Sequence, residues 1–411
     1  MKKPSRRVVR TYVSALVLIT SLGQAQEMIL PSHEVPSPDV AAEALQREQA
    51  RVGFVKLGPF DIIPRVAASL YYDDNVETDN TDQIEDMVFT LAPTLSAVAT
   101  DMEEGMGKQM SLRYTPYFFV YFDESDLNRM DHLASIAGSV HGAKLTLGFG
   151  QTFRRTTDPV IDIGTSADRS AYDTVLHSQY PLGEKTFLEI NGSLNVIEYD
   201  DEIYSGSWSV ANDDWINYQY SAKLAIALGA IIGFQSTDNS PDQTFQQGLA
   251  RVTYAIAEKV DLEANVGGEW RQFKDGADDT LTPVWNVDAA YRPRDSTTLR
   301  LRLFQQYRSS AREGGQSYVS TGVNLVLRQM LMRRLALNLG ATYSNADYES
   351  TLAGGQADRN DDLFLVRVSL DAYIRPRWTV GVFYDFQTRD STNPNLEFDR
   401  NRVGLQTAWT Y

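Results

Sequence analysis

The sequence predicts an all-β fold: a transmembrane antiparallel up-and-down β-barrel of about eighteen strands, with sixteen as the alternative count. Three observations predict it. Apolar and polar residues alternate with a period of two, connections between strands alternate between short and long, and residues 61–411 show no break in composition. Short turns on one rim and long loops on the other are typical of a membrane barrel. In a soluble β-sandwich or propeller, loop length is not expected to alternate between the two ends of the strands.

The first residues predict secretion. A basic start (Lys2, Lys3, Arg6, Arg7 and Arg10) is followed by an apolar core of ten residues, 13–22, and by small residues at 23–25. This order is that of a signal peptide with its cleavage site. The core is shorter than the roughly twenty residues that span a bilayer as a helix. Residues 1–25 are therefore predicted to be a signal peptide.

Charge and cysteine content exclude several classes of function. The formal charge is −16, and it becomes −21 without residues 1–25, which carry five basic residues and no acidic ones. This sign disfavours nucleic acid as a partner. The chain has no cysteine, which excludes disulfides, thiolate metal sites and a lipid anchor on cysteine.

Residues 26–60 are predicted to form a periplasmic N-terminal segment that leads into the barrel. Pro31, Pro36 and Pro38 predict an extended start. Asp39 stands where it can cap a short helix over residues 40–51, which are rich in Ala, Glu, Gln and Arg. A disordered tail is the alternative interpretation of this segment.

The barrel itself is predicted over residues 61–411, where stretches with a period of two follow one another. The predicted strands are 62–73, 87–100, 110–122, 130–140, 144–156, 171–182, 187–199, 215–224, 228–237, 247–256, 260–273, 283–292, 297–309, 318–328, 335–348, 363–375, 378–389 and 398–411.

The predicted connections fall into two classes. Tight ones lie at 141–143, 183–185, 257–259, 293–296 and 375–377, and the strands 215–224 and 228–237 are divided by a split near 225–229. Longer ones, acidic or rich in Gly and Asn, lie at 74–86, 157–170, 200–214, 238–246, 274–281, 349–362 and 390–397. With both ends of the barrel on the short-turn side, the number of strands must be even. A barrel of this size is wide enough for an aqueous channel.

The last predicted strand has one apolar and one polar face. Val403, Leu405, Trp409 and Tyr411 share the apolar face, and the strand ends on an aromatic residue. Such a strand resembles the one with which outer-membrane barrels close the cylinder and are read by the insertion machinery.

Several motifs resemble a known family, the putative β-barrel porins of type 2. They are the sequence Leu-Gly-Pro-Phe at 57–60, Tyr-Tyr-Asp-Asp-Asn-Val at 71–76, and Arg-Pro turns at 292–293 and 375–376. Glu77 stands where the family usually has an apolar or aromatic residue. The resemblance covers about residues 57–411. It implies an outer-membrane channel associated with export of an exopolysaccharide, with no catalytic residues to carry over.

Arginines on the polar face of the strands are the first candidates for function. They are Arg65, Arg113, Arg154, Arg251, Arg271, Arg300, Arg302, Arg367 and Arg402. The guanidinium group suits carboxylates and sugar hydroxyls, so an arginine track lining the lumen could guide an anionic glycan. The alternative is that these arginines pair with acidic residues of neighbouring strands and stiffen the wall.

Aromatic residues are the second candidates. Tyr117, Phe119 and Tyr121 share the inward parity of their strand and could stack on sugar rings, provided that Pro116 introduces no bulge that reverses the parity. Other aromatic residues are predicted to lie at the membrane interface. They are Tyr72, Tyr114, Trp270, Trp285, Trp378 and Trp409.

The sequence predicts neither an enzyme nor a cofactor protein. The four histidines, His33, His132, His141 and His177, accompany no nucleophile motif. The acidic loops offer oxygen ligands but lack the ordered spacing of a calcium site. We therefore expect no catalytic residue, no resident metal and no cofactor.

The predicted function is that of a conduit in the cell outer membrane, with export of a secreted exopolysaccharide as the first interpretation. A general or substrate-specific diffusion porin for small solutes is the alternative. The expected partners are outer-membrane lipid and lipopolysaccharide, the polysaccharide, and periplasmic or inner-membrane export proteins. The sequence leaves open which glycan or solute passes and whether the loops gate the pore. It also leaves open the oligomeric state and the identity of the periplasmic partner.

Overall fold

The computed structural model describes residues 55–103, 106–157, 162–163, 166–256, 259–274, 276–312, 315–355 and 359–411. The predicted signal peptide and the predicted helix at 40–51 lie outside the described residues. The described part of the chain is built almost wholly from strands, with two single-turn 3₁₀ helices at Ser125–Leu127 and Pro394–Leu396. None of its helices is long and apolar enough to cross a membrane.

Nineteen strands follow one another along the described residues. Their bounds are β1 Val55–Leu57, β2 Phe60–Asp73, β3 Asp86–Glu103, β4 Met106–Tyr121, β5 Arg129–His141, β6 Thr146–Thr156, β7 Arg169–Pro181, β8 Thr186–Tyr199, β9 Ser207–Gln219, β10 Leu224–Thr237, β11 Gln243–Ile256, β12 Val260–Phe273, β13 Thr280–Arg294, β14 Thr297–Ser309, β15 Gln316–Met332, β16 Leu335–Ser350, β17 Asn360–Arg375, β18 Trp378–Ser391 and β19 Phe398–Thr410.

Strands β2 to β19 form a closed antiparallel barrel of eighteen strands. Each strand pairs with the next along the chain, and β19 pairs with β2 from Arg402 opposite Asp73 to Thr410 opposite Arg65. The predicted fold class and the strand count of eighteen are therefore confirmed. Closure leaves no free edge, so backbone N–H and C=O groups can be satisfied within the wall, as a lipid environment requires.

The two faces of the wall differ in chemistry. Large apolar side chains point outward and are exposed, among them Leu228, Ile232 and Leu405 at 71, 63 and 58%. Residues of the opposite parity include the buried Arg65, Arg271 and Asp371. The wall thus has an apolar outer face and a polar inner face, which is the arrangement of a transmembrane barrel. Most of the aromatic residues predicted for the interface are exposed on the outer face, at Tyr72, Tyr114, Trp270, Trp378 and Trp409.

The connections separate by length between the two rims. Short turns follow β3, β5, β7, β9, β11, β13, β15 and β17, whereas the intervening connections, such as 74–85 and 200–206, are mostly longer. In membrane barrels the short turns face the periplasm and the long loops face the outside. The short-turn rim is therefore the periplasmic rim, and the other is the outer rim.

One part of the predicted strand pattern was wrong. Strand β9 begins at Ser207 instead of 215, and the tight turn lies at 220–223 instead of 225–229. In that turn the Ser221 hydroxyl accepts hydrogen bonds from the amides of Lys223 and Leu224, at 3.3 and 3.2 Å. Of the two acidic residues of β9, Asp213 has the lumenal parity, whereas Asp214 is exposed on the outer parity, where the Asn212 side-chain amide donates to it at 2.7 Å.

Strand β1 lies at the seam of the barrel. Val55 pairs with Ile62 and Leu57 with Phe60 on β2, while β3 pairs with the same stretch of β2 from its other side. The Tyr411 amide donates to the Pro64 carbonyl at 3.0 Å. Strands β19 and β1 therefore pair with the same edge of β2: β19 pairs with Arg65 to Asp73, and β1 pairs with Phe60 to Ile62.

The prolines Pro93 and Pro116 face each other between β3 and β4. The ladder has no register pairs from Ala92 to Thr94, yet the register before the gap, Leu91 with Phe118, is the same as after it, Leu95 with Tyr114. Because neither proline has an N–H to donate, the ladder is interrupted locally. The parity of β4 is unchanged, so Pro116 does not turn Tyr117 and Phe119 away from the lumen.

Candidate functional site

All nine predicted arginines lie on the strand parity opposite to the exposed apolar side chains. In β17, for example, Arg367 is 8% exposed among buried alternate residues, while Phe364 and Leu370 on the other parity are exposed. The structure thus places the nine arginines on the lumenal side of the wall, distributed around its circumference.

Many of these guanidinium groups are held by carboxylates. Arg154 contacts Asp173 at 2.5 Å, Arg251 contacts Glu189 at 2.8 Å, and Arg271 contacts Glu269 at 2.7 Å. Arg302 lies opposite Asp288 in the ladder between β13 and β14. Pairing with carboxylates therefore neutralises much of the lumenal charge, between neighbouring strands for Arg154, within one strand for Arg271, and between β11 and β8 for Arg251. Such a wall carries charge of both signs in fixed positions.

Three of the nine arginines come together in one cavity, which we call the lumenal pocket. It is lined by Arg65, Arg367 and Arg402 with side chains from β2, β3, β4 and β16 to β19, and its volume is ≈ 130 Å³. Ligand clefts for drug-sized molecules usually measure about 300–1,000 Å³. The lumenal pocket is thus a niche in the wall whose size suits a small solute or one unit of a larger one.

A chain of polar contacts fixes one side of the lumenal pocket. Arg367 contacts Asp385 at 2.9 Å and donates to the Gln406 side-chain oxygen at 3.0 Å. The Gln406 amide donates to Asp371 at 2.7 Å, and Asn338 donates to the other oxygen of Asp371 at 2.7 Å. Because each group is held by its neighbour, the polar side chains are oriented before any solute arrives.

Aromatic rings form the rest of the lumenal pocket. Tyr71, Tyr117, Phe119 and Phe383 line it, and the Arg367 guanidinium lies 4.3 Å from the centre of the Phe383 ring. Rings beside fixed donors and acceptors can contact the apolar face of a sugar while the polar groups bind its hydroxyls.

The structure divides the predicted row of stacking residues. Tyr117 and Phe119 line the lumenal pocket, although the Phe119 ring already carries the Arg129 guanidinium at 4.4 Å. Tyr121 is 3% exposed, packs in an apolar cluster with Val88, and accepts a hydrogen bond from Arg129 at 2.7 Å. The ring of Tyr121 therefore supports the wall and offers no free face to a solute.

A second feature, which the sequence did not predict, lies at the outer rim. The segment of Asp162 and Ile163, from the connection between β6 and β7, is buried against the opposite side of the barrel. Asp162 accepts hydrogen bonds from the Ser310 hydroxyl at 3.0 Å and from the Tyr348 hydroxyl at 2.7 Å. We call this set of contacts the Asp162 dock.

The Asp162 dock spans the mouth of the barrel. Strand β14, which ends next to Ser310, is eight strands from β6 in one direction around the ring and ten in the other. The two elements are thus almost diametrically opposed, so the segment that contains Asp162 must cross the lumen. The apolar Ile163 in an otherwise polar loop was the sequence signal for this buried contact.

Buried charged side chains of the barrel wall also contact the Asp162 dock. Arg359 donates to the Asp162 backbone carbonyl at 2.7 Å and contacts Asp361 at 2.6 Å, and Arg389 contacts Asp361 at 2.9 Å. The amide of Arg312 donates to the Asp162 carboxylate at 3.2 Å. Burial lowers the pKa of the Arg359 guanidinium, but the hydrogen bond to Asp361 and the nearby acidic groups outweigh burial, so the pKa is raised above its ordinary value and the group stays charged.

The acidic loop 74–85 uses its carboxylates for its own structure. Asp79 accepts hydrogen bonds from the amides of Thr81 and Asp82, at 2.9 and 3.4 Å, and these bonds lower the pKa of its carboxyl group. Glu85 accepts from the Tyr72 hydroxyl at 2.5 Å. In the described part of the chain, no group of three or more His, Asp or Glu residues is arranged to hold a metal ion.

The histidines lie away from the lumenal pocket. His141, at the periplasmic rim, has its Nε2 atom 3.0 Å from the Ser139 hydroxyl, and His132 contacts the lipid-facing Tyr114 hydroxyl at 2.9 Å. His177 contacts the Asn191 side chain at 2.6 Å. His33 lies outside the described residues.

Comparison with known proteins agrees with this architecture. Residues 236–410 match the model of a family described as Putative beta-barrel porin 2, which confirms the resemblance first seen in the motifs. A search of curated protein sequences finds no match.

Several solved barrels of Pseudomonas aeruginosa are similar in structure. OpdK, in a crystal structure with vanillate, is 11% identical with a TM-score of 0.44, covering 87% of this chain and 100% of its own. OccK2 (OpdF), in complex with glucuronate, is 15% identical with a TM-score of 0.45, covering 87% of this chain and 99% of its own. OpdO is 11% identical with a TM-score of 0.46, covering 86% and 98%.

Proposed function

Since the chain is a porin-like β-barrel of the outer membrane, we propose that it is a selective diffusion channel for small hydrophilic solutes. The observation that carries this proposal is the Asp162 dock, in which a segment of the chain crosses the outer mouth. A small solute can pass beside such a segment, whereas a polymer of many sugar units needs an unobstructed lumen.

The lumenal pocket supports selection among the solutes. Its arginines and carboxylates form a fixed array. A solute that gives up hydrogen bonds with water can form hydrogen bonds with this array instead, so the free-energy cost of its entry is small. The aromatic rings of Tyr117 and Phe383 add apolar contact. We therefore propose sugars and small organic anions as the preferred class. The proposal assigns no catalytic step and no cofactor to the chain.

Export of an exopolysaccharide is the second candidate, and the motif resemblance is what favours it. In that case the segment of the Asp162 dock would have to leave the mouth during transport. Periplasmic or inner-membrane export proteins would be the partners that deliver the polymer.

Liposome swelling and planar-bilayer recording separate the two candidates. For a diffusion channel, we expect swelling rates to fall steeply from monosaccharides to trisaccharides, and a long anionic polysaccharide to leave the current unchanged. Block of the current by the polysaccharide, together with loss of an extracellular glycan on gene deletion, would instead support export.

Two sets of variants locate the selective region. Arg367→Ala removes a member of the lumenal pocket, and Arg300→Ala with Arg302→Ala removes lumenal charge elsewhere on the wall. We expect Arg367→Ala to change the ranking of solutes and the double variant to change mainly the ion conductance. If the double variant altered solute ranking as strongly, selection would be distributed along an arginine track.

A further inference from the structure

The periplasmic rim carries a ring of basic side chains. Five of its eight turns present an exposed lysine in the turn or within three residues of it, at Lys108, Lys144, Lys185, Lys223 and Lys259. The other three turns present exposed arginines, represented by Arg294, Arg333 and Arg375. Each of the eight hairpins thus places at least one basic side chain at the same rim, although the whole chain has a formal charge of −16. Three of the turns also expose an acidic residue, Asp101, Glu184 or Asp295, and none of these three forms a salt bridge with a described residue of the ring.

These eight cations are available to a partner. None of them forms a salt bridge with another described residue, in contrast to two neighbours on the same rim, Lys56 with Asp61 at 2.8 Å and Arg292 with Asp261. The ring is therefore not a by-product of pairing within the barrel.

The opposite rim carries the opposite charge. Its loops expose Asp123, Glu124, Asp200, Asp201 and Asp279, among other acidic residues. Acidic residues thus predominate in the outer loops and basic residues in the periplasmic turns, so an anionic partner is favoured at the periplasmic rim.

The basic side chains stand next to the apolar outer face. Leu145, Leu182, Tyr220 and Ile374 lie within three residues of a lysine or arginine of the ring and are 43, 55, 64 and 46% exposed. Apolar side chains of this face lie in the hydrocarbon, so the neighbouring ammonium and guanidinium groups reach the level of the lipid headgroups.

We propose that this ring binds anionic phospholipid headgroups of the periplasmic leaflet. A lipid leaflet surrounds the barrel on all sides, and the ring likewise extends over every hairpin. A protein docked at one sector of the rim would contact only some of the turns. The ring fixes the height of the barrel in the membrane and enriches anionic lipid around it.

Spin-labelled lipids test this proposal on the full barrel reconstituted in membranes. Electron spin resonance would compare the association of labelled phosphatidylglycerol and phosphatidylcholine with the protein. We expect the wild type to prefer phosphatidylglycerol, by up to about fivefold at a headgroup that contacts one basic residue. The preference should decline as sodium chloride is raised, because the contacts are at the surface.

The decisive variant replaces Lys144, Lys185, Lys223 and Lys259 by Gln. Its matched control replaces the same residues by Arg, and a second control, Lys274→Gln, removes a lysine from the outer rim. We expect the Gln variant to lose most of the preference and both controls to retain it. Heat-modifiable migration on gels shows which variants have folded.

Three results would overturn the proposal. They are equal association of the two lipids with the wild type, a salt-independent preference, and a Gln variant that matches the Arg variant. Lysine-dependent binding of polyglutamate in phosphatidylcholine membranes, without any preference for phosphatidylglycerol, would assign the ring to an acidic protein instead. If the Gln variant does not fold, the salt titration of the wild type decides.

Discussion

The Tyr348 hydroxyl donates a hydrogen bond of 2.7 Å to the Asp162 carboxylate, and this bond joins two nearly opposite sides of the barrel. Tyr348 belongs to β16, whereas Asp162 comes from the connection after β6. Since both groups are buried, their bond is shielded from water and holds a segment across the outer mouth.

Asp162→Ala should increase the conductance of the channel. The substitution leaves the hydroxyls of Ser310 and Tyr348 without their acceptor, and an unsatisfied buried polar group costs about 1–3 kcal/mol. The crossing segment should therefore leave the opposite wall more often. Single-channel recording measures the change. Asp168→Ala, an equal loss of charge at an exposed residue of the same connection, is the control and should conduct like the wild type.

Asp73→Ala should destabilise the barrel strongly. Arg400 contacts Asp73 at 2.5 Å across the seam, and the two residues are 6 and 0% exposed. Removing one partner of a buried ion pair costs about 3–5 kcal/mol, because the other charge stays buried without compensation. Urea unfolding in lipid vesicles measures the loss.

Two comparisons check the interpretation of Asp73→Ala. Asp73→Ala combined with Arg400→Met should cost less than the sum of the single changes. Asp200→Ala breaks an exposed pair with Arg155 and should cost about 0–1 kcal/mol. Equal losses for Asp73→Ala and Asp200→Ala would contradict the assigned role of burial.

Gly404→Ala should destabilise the closure between β19 and β2. A Cβ atom at Gly404 would lie 2.4 Å from the Tyr71 Cβ and 2.6 Å from the Leu70 carbonyl oxygen. Overpacking of this kind costs about 1–3 kcal/mol, measurable as a lower midpoint of urea unfolding. Gly248→Ala, where no atom lies within 4 Å of the added Cβ, should unfold like the wild type.

Ile232→Arg and Ile231→Arg should have different effects, although the residues are neighbours in β10. Ile232 is 63% exposed on the outer face, whereas Ile231 has the lumenal parity. An arginine facing lipid at the middle of a membrane barrel costs about 2–4 kcal/mol. We expect a large loss of stability in vesicles for Ile232→Arg and a small one for Ile231→Arg. Similar losses would mean that lipid does not cover the outer face.

The alternation along the chain predicted most of the architecture. Strands β12 and β14 were predicted to the residue at 260–273 and 297–309, because an uninterrupted period of two ends there at clear turn residues. Strand β9 was misplaced because Asn212, Asp213 and Asp214 follow one another, which resembles loop composition and interrupts the apolar parity.

The candidate site was less accessible to sequence reasoning. Parity alone placed Arg65, Arg367 and Arg402 in the lumen. Their convergence in one pocket depends on closure of the ring, which brings β2 next to β19. The contact of Asp162 with Ser310 depends on a path across the lumen, and no periodicity along the chain encodes such a path.

The short strand β1 also has a consequence for assembly. Val55 to Leu57 pair with Phe60 to Ile62, beyond Pro64, whose carbonyl accepts the last hydrogen bond from the chain end at Tyr411. A register of β19 shifted by two residues along β2 would place Tyr411 opposite Ile62, which already pairs with Val55, so β1 competes with the shifted register. Strand β1 thus favours the register in which β19 pairs with β2 and closes the barrel.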